Sequence, residues 1–575
     1  MQVKVSDYIA EFLRVQKIDL VFEVAGGMIT HLLDSIYRYG NTNIISMHHE
    51  QAASFAADAY GRVTGKPGVA LATSGPGATN LLTGIASCYF DSSPALFITG
   101  QVNTYEQKGT RKIRQLGFQE TDIITMAKPI VKKCFHIDDA SQVEATMYEA
   151  YECAINDRPG PVLIDLPMNI QREQISVGPI HQLQRKNSIT KSLAVEINLL
   201  QEYLNQATAP LILVGGGVRC ANAARALLDF VELAKIPVVT SLLGYDLLPY
   251  DHPMRIGFIG TYGNRWANIA LGKADLLIVI GSRLDVRQTG ADVDSFSKNK
   301  TIIHIDCDEG EINNRIKNCI SIVADAKDFL NQATQYWTRS SVTYLSWLNE
   351  LKALQSKFPD TNELNNITGI NPNCFMHDLS QFCEHAIGYV ADVGNHQMWA
   401  AQSLELKPEQ VFITSGGMGA MGFALPAAIG LSLACGKKPV VAIIGDGAFQ
   451  MNIQELQTIV RNGLPIKIIV LNNNCLGMIR QFQDSYFSGR YQSTYWGYNA
   501  PSFSAIAKAY GIKAQTISKP EETFLASEWL WEKVNEPVLL EVLINPHTNV
   551  YPKIAFGKPI SEMEPFALPI GIEST

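Results

Sequence analysis

The 575-residue sequence contains no Cys-x-x-Cys pair, and its ten cysteines are scattered singly between Cys88 and Cys475. That spacing excludes a zinc ribbon or a dense disulfide framework and reads as reduced thiols in a cytoplasmic protein. The N-terminus, Met1-Gln2-Val3-Lys4-Val5-Ser6-Asp7, has no basic region followed by an apolar stretch, so no secretory signal is expected. Neither sign of charge dominates: 47 Lys and Arg face 55 Asp and Glu, a net charge of −8. This balance gives no reason to expect nucleic acid or an anionic membrane as partner. There is no short-period repeat and no low-complexity tract. One stretch, residues 416–436, lacks charge over a length that spans a bilayer. Its glycines and Pro426 point instead to a glycine-rich loop followed by a buried helix, packed closely against a neighbour.

Hydrophobic residues make up 46% of the chain and charged residues 18%, which suits a soluble protein with a large core. At roughly 100–200 residues per domain, the length predicts three or four domains. Short apolar runs ending in Gly or a turn recur at 67–75, 94–100, 160–167, 210–217, 236–241, 275–281, 301–306, 439–447, 466–473 and 537–544. Helix-like stretches separate them. Continuous apolar strands alternating with helices predict an α/β fold of parallel sheets covered on both faces, and so many strands require several doubly wound domains. A polar segment at 171–195 that lacks strand character and a polar, turn-rich segment at 355–372 mark boundaries. They divide the chain into units of about 1–180, 190–350 and 365–555, with a C-terminal tail at 556–575. The prolines after residue 550 predict a surface tail without regular structure.

The most informative motif is Gly445-Asp446-Gly447. It follows the apolar run VVAII and precedes the helix-like NIQELQTIVRNG; a second run, IKIIVL, then ends in Asn472-Asn473-Asn474. Asp446 and Asn473 stand 27 positions apart, close to one strand–helix–strand unit. That spacing puts both at the C-terminal ends of neighbouring parallel strands, the edge where open α/β sheets bind ligands. A carboxylate, an amide oxygen and a nearby main-chain carbonyl are hard donors suited to Mg²⁺, while Gly445 and Gly447 let a diphosphate approach the backbone.

The stretch from GDGAFQMNIQEL through LPIKIIVLNNNCLGMIRQFQ resembles the thiamine-diphosphate enzymes, and among them the acetohydroxyacid (acetolactate) synthases. The resemblance continues in VGNHQMWAAQ (393–402), TSGGMGAMGFALPAAIG (414–430) and MHHEQAASFAADAYGRVTGKPGVALATSGPGATN (47–80). It implies that Asp446, Asn473 and the main-chain oxygen of Cys475 hold Mg²⁺. Asn395, His396, Gln397, Gly445, Gly447, Ala448, Gly477 and Met478 would surround the diphosphate. The carbonyl of Gly419 would accept from the aminopyrimidine, and Met421 would wedge beneath the thiazolium. Glu50 falls at the cofactor-activating position, where the chemistry needs a protonated carboxyl group against a ring nitrogen. Taken alone, Glu50 also reads as a helix N-terminal glutamate facing the macrodipole, and His49 as a structural histidine. Ser74, Gly75 and Pro76, with Asn80, would form a tight turn beside the pyrimidine. Phe118 and Gln119 would border the reaction space. In the family this site joins two subunits, which implies a homodimer or homotetramer.

The centre of the chain contains VGGGV, GSRLDVRQTG and HIDCDEGEIN. A glycine-rich turn after a strand is weak evidence for a nucleotide by itself, but the set resembles the family's FAD-binding domain. Gly215, Gly216 and Gly217 would then approach the flavin nucleotide, Arg283 and Arg287 its phosphates, and Asp306 and Asp325 its adenine or ribityl donors. Several positions depart from the synthase pattern. Phe482 stands where a tryptophan is typical, and Glu23 and Ala25 replace glycine and proline in VFEVAGG (21–27). The segment NTYEQKGTRKIRQLG (103–117) is longer than the synthase norm and adds Lys108, Arg111, Lys112 and Arg114. Glu23 reads either as a carboxylate near the reaction space or as a solvated residue. The basic segment reads either as a phosphate clamp or as a solvated loop.

The expectation is a carboligase that decarboxylates pyruvate and passes the two-carbon unit to a carbonyl acceptor. A second pyruvate gives acetolactate; a nucleotide-linked keto sugar gives a branched sugar. A simple decarboxylase or 2-hydroxyacyl-CoA lyase stays open. So does a non-catalytic nucleotide-binding regulator, which would have no need of Glu50 or the metal pair. A nicotinamide dehydrogenase rests only on Gly215–Gly217, which lack GxGxxG spacing.

Overall fold

The computed structural model describes residues 2–186, 191–338, 343–364 and 366–570. Residues 187–190 and 365 of the two boundary segments, and residues 571–575 of the tail, lie outside the described residues. Three six-stranded parallel sheets are stacked along the chain, each flanked by helices. All ten apolar runs are strands. Val440–Gly445 and Ile466–Asn472, for example, are buried along their whole length, as continuous apolar strands covered on both faces should be.

The first and third sheets share one winding. Counted in chain order within each domain, both run 2-1-3-4-6-5, whereas the middle sheet runs 3-2-1-4-5-6. The sequence has no visible repeat, so this duplication is a finding of the structure. In all three sheets the winding reverses next to the first strand of the domain, and the loops leaving the C-terminal strand ends there carry the sequence motifs. Those ends are Val24 and Ala72 in the first sheet, Val214 and Ile280 in the second, and Ala391 and Gly445 in the third.

The uncharged stretch 416–436 is a loop followed by the buried helix Ala424–Ala434. Its neighbour is the helix Glu50–Thr64 of the first domain. A Cβ on Gly430 would lie 2.1 Å from the carbonyl oxygen of Ala56, so only glycine permits this approach. Phe55 and Phe423 meet edge-on beside it, ring centroids 5.2 Å apart. Among the described residues no helix is long and apolar enough to cross a membrane.

Two expectations need correction. The segment 171–195 is not devoid of strand: Gln174–Ser176 pairs antiparallel with Gln2–Lys4. The tail is not irregular throughout, because Lys553–Ile554 pairs with Met563–Glu564. The buried Lys553–Glu564 ion pair (2.9 Å) closes this hairpin, and Arg265, which donates to the Glu564 carbonyl at 3.0 Å, holds it on the middle domain. Proline spacing predicted exposure and could not register these distant partners.

The 355–372 segment enters the third domain through His377, which lies between Asp360 (2.9 Å) and Glu405 (2.7 Å). Burial by itself lowers the imidazole pKa, but the two carboxylates win and raise it to about 9. A group raised on folding stabilises fully below its unfolded pKa near 6.5 and loses that contribution as pH climbs through 9. His377→Gln is expected to remove about 2 kcal/mol at pH 6 and almost nothing at pH 10. Urea denaturation at the two pH values checks this, and equal losses at both would refute it.

Candidate active site

The strands Val440–Gly445 and Ile466–Asn472 pair in parallel with Gly445 opposite Leu471, so their ends deliver Asp446 and Asn473 side by side. The amide oxygen of Asn473 faces Asp446 Oδ1 at 3.1 Å and the Cys475 carbonyl oxygen at 2.7 Å. Turned over, the same amide would donate to both. As oriented, three oxygens converge without a proton between them, an arrangement that a hard cation satisfies. The Tyr498 hydroxyl donates to Asp446 Oδ2 at 3.0 Å. Burial pushes the Asp446 carboxyl up to about 7 against that bond and several backbone N–H groups. Among the described residues no trio of His, Cys, Asp or Glu side chains is placed to hold a metal. The donor set here is of another kind: one carboxylate, one amide and one carbonyl, the oxygen chemistry of Mg²⁺.

Around these oxygens the backbone is pared down. A Cβ on Gly445 would stand 2.6 Å from the His396 ring, and one on Gly394 2.7 Å from it. The Gly445 N–H donates to His396 Nε2 at 3.2 Å. Burial lowers His396 to about 3, so the ring is neutral, with Nε2 as acceptor. A Cβ on Gly477 would press within 2.5 Å of the Asn395 amide and 2.6 Å of that of Asn473. Asn395 Oδ1 is buried and has no partner. A Cβ on Gly447 would meet Leu476 at 2.7 Å and the Met421 methyl at 3.4 Å. The structure therefore gathers Asn395, His396, Met421, Gly445, Asp446, Gly447, Asn473, Cys475 and Gly477. Ala448 is buried in the core beneath, and Met478 packs into the neighbouring core. Gln397 is turned away and donates to Thr414 Oγ1 at 2.6 Å and the Ser415 carbonyl at 3.3 Å.

Gly419 lies on an arch, residues 414–424, at φ +64, where a Cβ would meet nothing. Two buried carboxylates hold the feet of the arch. Asp392 accepts from the N–H groups of Gly422 (2.9 Å) and Ala424 (2.7 Å). Asp91, from the first domain, accepts from those of Gly416 (2.9 Å) and Gly417 (2.6 Å). Sequence reasoning missed both. Asp392 carried a signal, a lone acid directly after an apolar strand at a sheet's C-terminal edge. Asp91 carried none, because its partners lie more than 300 residues away.

In the first domain, Glu50 opens the helix Glu50–Thr64. His49 caps that helix by accepting from the Gln51 N–H at 3.0 Å, which fits its structural reading. Glu50 Oε2 accepts from Asn80 Nδ2 at 2.9 Å, and a Cβ on Gly77 would lie 3.2 Å from Oε1. The Ser74-Gly75-Pro76 turn thus leads directly to the carboxylate. Gly75 (φ +68) packs against Gln119, and the Ser74 hydroxyl is buried without a partner. Phe118 is not gathered; its ring is 80% exposed. Glu23 is buried rather than solvated: one oxygen accepts from Ser46 Oγ at 2.5 Å, the other has no partner, and burial raises its pKa. Arg111, Lys112 and Arg114 are exposed on a loop pinned by Glu120, whose carboxylate accepts from the Lys108 N–H (2.6 Å) and the Leu116 N–H (2.7 Å).

Residues 3–126, 197–333 and 392–542 match, in turn, the thiamine pyrophosphate enzyme N-terminal TPP binding domain, central domain and C-terminal TPP binding domain. The acetolactate synthase large subunit of Porphyra purpurea is 36% identical over 563 residues, covering 96% of this chain and 93% of its own length. That of Lactococcus lactis is 36% identical over 560 residues (97% and 95%). A probable acetolactate synthase large subunit of Methanocaldococcus jannaschii is 37% identical over 560 residues (94% and 92%). The chain belongs to the thiamine pyrophosphate enzyme family.

The central domain of this thiamine pyrophosphate enzyme carries a large cavity at the C-terminal edge of its sheet. Gly216, Gly217, Arg283, Arg287, Asp306 and Asp325 all line it. Gly215 instead serves loop packing, since a Cβ there would lie 2.2 Å from the Gly281 carbonyl. Asp325 has a structural duty as well: it caps the helix Ala326–Tyr336 through the Lys327 N–H at 2.8 Å. Burial raises the Asp306 carboxyl, which accepts from the Asp308 N–H at 2.9 Å. Phe482 lies half-exposed on the helix Gly477–Tyr486, its ring tilted against that of Tyr486.

Gly445→Ala is expected to destabilise the protein by about 1–3 kcal/mol by driving a methyl group into the His396 ring. Gly27→Ala, where a Cβ meets nothing, is the control. Thermal denaturation of the pair checks this; equal midpoints would remove the packing argument.

Proposed function

We propose that this chain decarboxylates pyruvate and joins the remaining two-carbon unit to a carbonyl acceptor, in the manner of the acetolactate synthases. The observation that carries the reading is the convergence of the Asp446, Asn473 and Cys475 oxygens at adjacent strand ends. In it, Asp446, Asn473 and the Cys475 carbonyl would hold Mg²⁺ beside the cofactor diphosphate. The unpartnered Asn395 oxygen, the glycine cradle and the neutral His396 line that diphosphate. Bound thiamine diphosphate supplies the electron sink that lets a 2-oxo acid lose CO₂. Glu50 holds a proton at the aminopyrimidine ring, and Asn80 orients its carboxylate. The Gly419 carbonyl would orient the exocyclic amine, and Met421 would pack beneath the thiazolium. Gln119, set against Gly75, borders the acceptor space with Phe118.

Three domains near 1–180, 190–350 and 365–555 divide the work, with the tail bracing the middle one. The exposed Phe118, Met126, Met418 and Met451 suit burial against a second copy in a homodimer or homotetramer. The central cavity fits FAD. Arg283 and Arg287 offer positive charge to phosphates, Asp306 and Asp325 offer acceptors, and the glycine turn leaves room for the nucleotide. A second pyruvate is the acceptor that the likeness to acetolactate synthases favours. A cytoplasmic location accords with the ten free cysteines.

Purified protein given pyruvate, thiamine diphosphate and Mg²⁺ is expected to form acetolactate. A protein that binds the cofactor yet forms none would overturn the choice of acceptor. Glu50→Gln is expected to retain the cofactor while turnover falls by roughly 10²–10⁴-fold; near-normal turnover would remove Glu50 from its role. The protein should also co-purify with yellow colour absorbing at about 450 nm, as bound flavins do. A colourless protein that takes up no added FAD refutes the central-cavity assignment.

A further inference from the structure

Asp91 ends the helix Leu82–Asp91 of the first domain, and its side chain is fully buried. The thiamine site as proposed gives it no role. One face of its carboxylate takes the Gly416 and Gly417 N–H groups at one foot of the arch. The Arg62 guanidinium lies 2.9 Å away; Arg62 is itself bidentate to Asp58 (2.7 and 2.8 Å) and donates to the Thr414 carbonyl at 2.8 Å. Inside the arch, Ser415 Oγ accepts from the Ala420 N–H at 3.1 Å. The crown, Met418 to Met421, of which Met418 is exposed and Ala420 buried, is thus fixed between two carboxylates from different domains. Asp91 also has a second aspect, because Phe90, Asp91, Ser92 and Gly416 line the central cavity.

We infer that Asp91 is a positioning residue that couples the two ligand sites: a nucleotide in the central cavity stiffens the Asp91–Gly416–Gly417 junction and so sets the crown that meets the thiamine ring. This rests on the reading of the thiamine site given above. The physical basis is that both ligands bias one short element. A cavity ligand packs on Gly416 and the Asp91 helix end, and the crown can shift only if the same amide–carboxylate bonds give way. Linkage then requires the effect to be reciprocal.

The test compares thiamine diphosphate binding, with Mg²⁺ present, by flavin-stripped and FAD-loaded protein, in the wild type and in Asp91→Asn. The asparagine keeps the volume but turns an N–H₂ toward Arg62 or a glycine N–H. FAD is expected to tighten thiamine diphosphate binding by roughly 5-fold or more in the wild type and to have no effect in the variant. Turnover by the variant should fall roughly 10- to 100-fold, with the KM for pyruvate within about twofold, as for a misplaced crown. The same FAD ratio in both proteins, or no ratio in the wild type, overturns the inference while leaving the thiamine site intact. If neither protein binds thiamine diphosphate, the proposed function falls first. Should Asp91→Asn fail to fold, Gly417→Ala displaces the same junction, since its Cβ would stand 2.7 Å from that of Phe90. It is read by the same ratio.

Discussion

The contact between the helices Glu50–Thr64 and Ala424–Ala434 sets the position of everything else. It is possible only because Gly430 has no side chain where the Ala56 carbonyl passes. One end of this seam is locked by Asp58, Arg62 and Asp91 against Thr414, Gly416 and Gly417. Near the other, Asn452 donates to the Gly422 carbonyl at 2.7 Å and lies 3.4 Å from the Gln51 side-chain oxygen, one residue from Glu50. The Glu50 carboxylate and the glycine arch therefore belong to one seam. Burying so many charged groups is tolerable because each carboxylate faces backbone N–H groups or a guanidinium rather than empty apolar space.

The same economy shapes the sheet edge of the third domain. Glycines at 394, 445 and 477 admit a histidine ring and two amides that no Cβ would allow. His396 is kept neutral by burial, so it accepts a backbone N–H and adds no charge next to Asp446. The Asp446 carboxyl, raised by burial, and the Asn473 and Cys475 oxygens are left facing one another. A carboxylate, an amide and a main-chain carbonyl gathered at one sheet edge are the donor set that a hard cation takes.

Interior strands were legible in the sequence and edge strands were not. The ten apolar runs are all interior strands, and every edge strand was passed over: Asn43–Ser46, Lys133–His136, Arg255–Phe258, Ile320–Val323, Val411–Thr414 and Lys513–Ile517. Edges such as Lys513–Ile517 and Lys133–His136 are partly exposed and carry polar residues, so they lose the continuous apolar signature. Leu20–Val24 and Gly388–Ala391 were missed as well, one interrupted by the buried Glu23 and the other only four residues long. The glycine motifs were visible because a missing side chain leaves a mark in the sequence whatever it packs against.

By itself the sequence determined the three-layered α/β plan, the pairing of Asp446 with Asn473 and the place of Glu50 at a helix start. Each depends on local spacing: strand–helix–strand length or the first turn of one helix. Only the tertiary structure decided that the first and third sheets are wound alike, that Glu23 is buried, that the tail braces the middle domain and that Asp91 holds the arch. Those facts rest on contacts between residues from tens to hundreds of positions apart, and composition and periodicity carry no record of such partners.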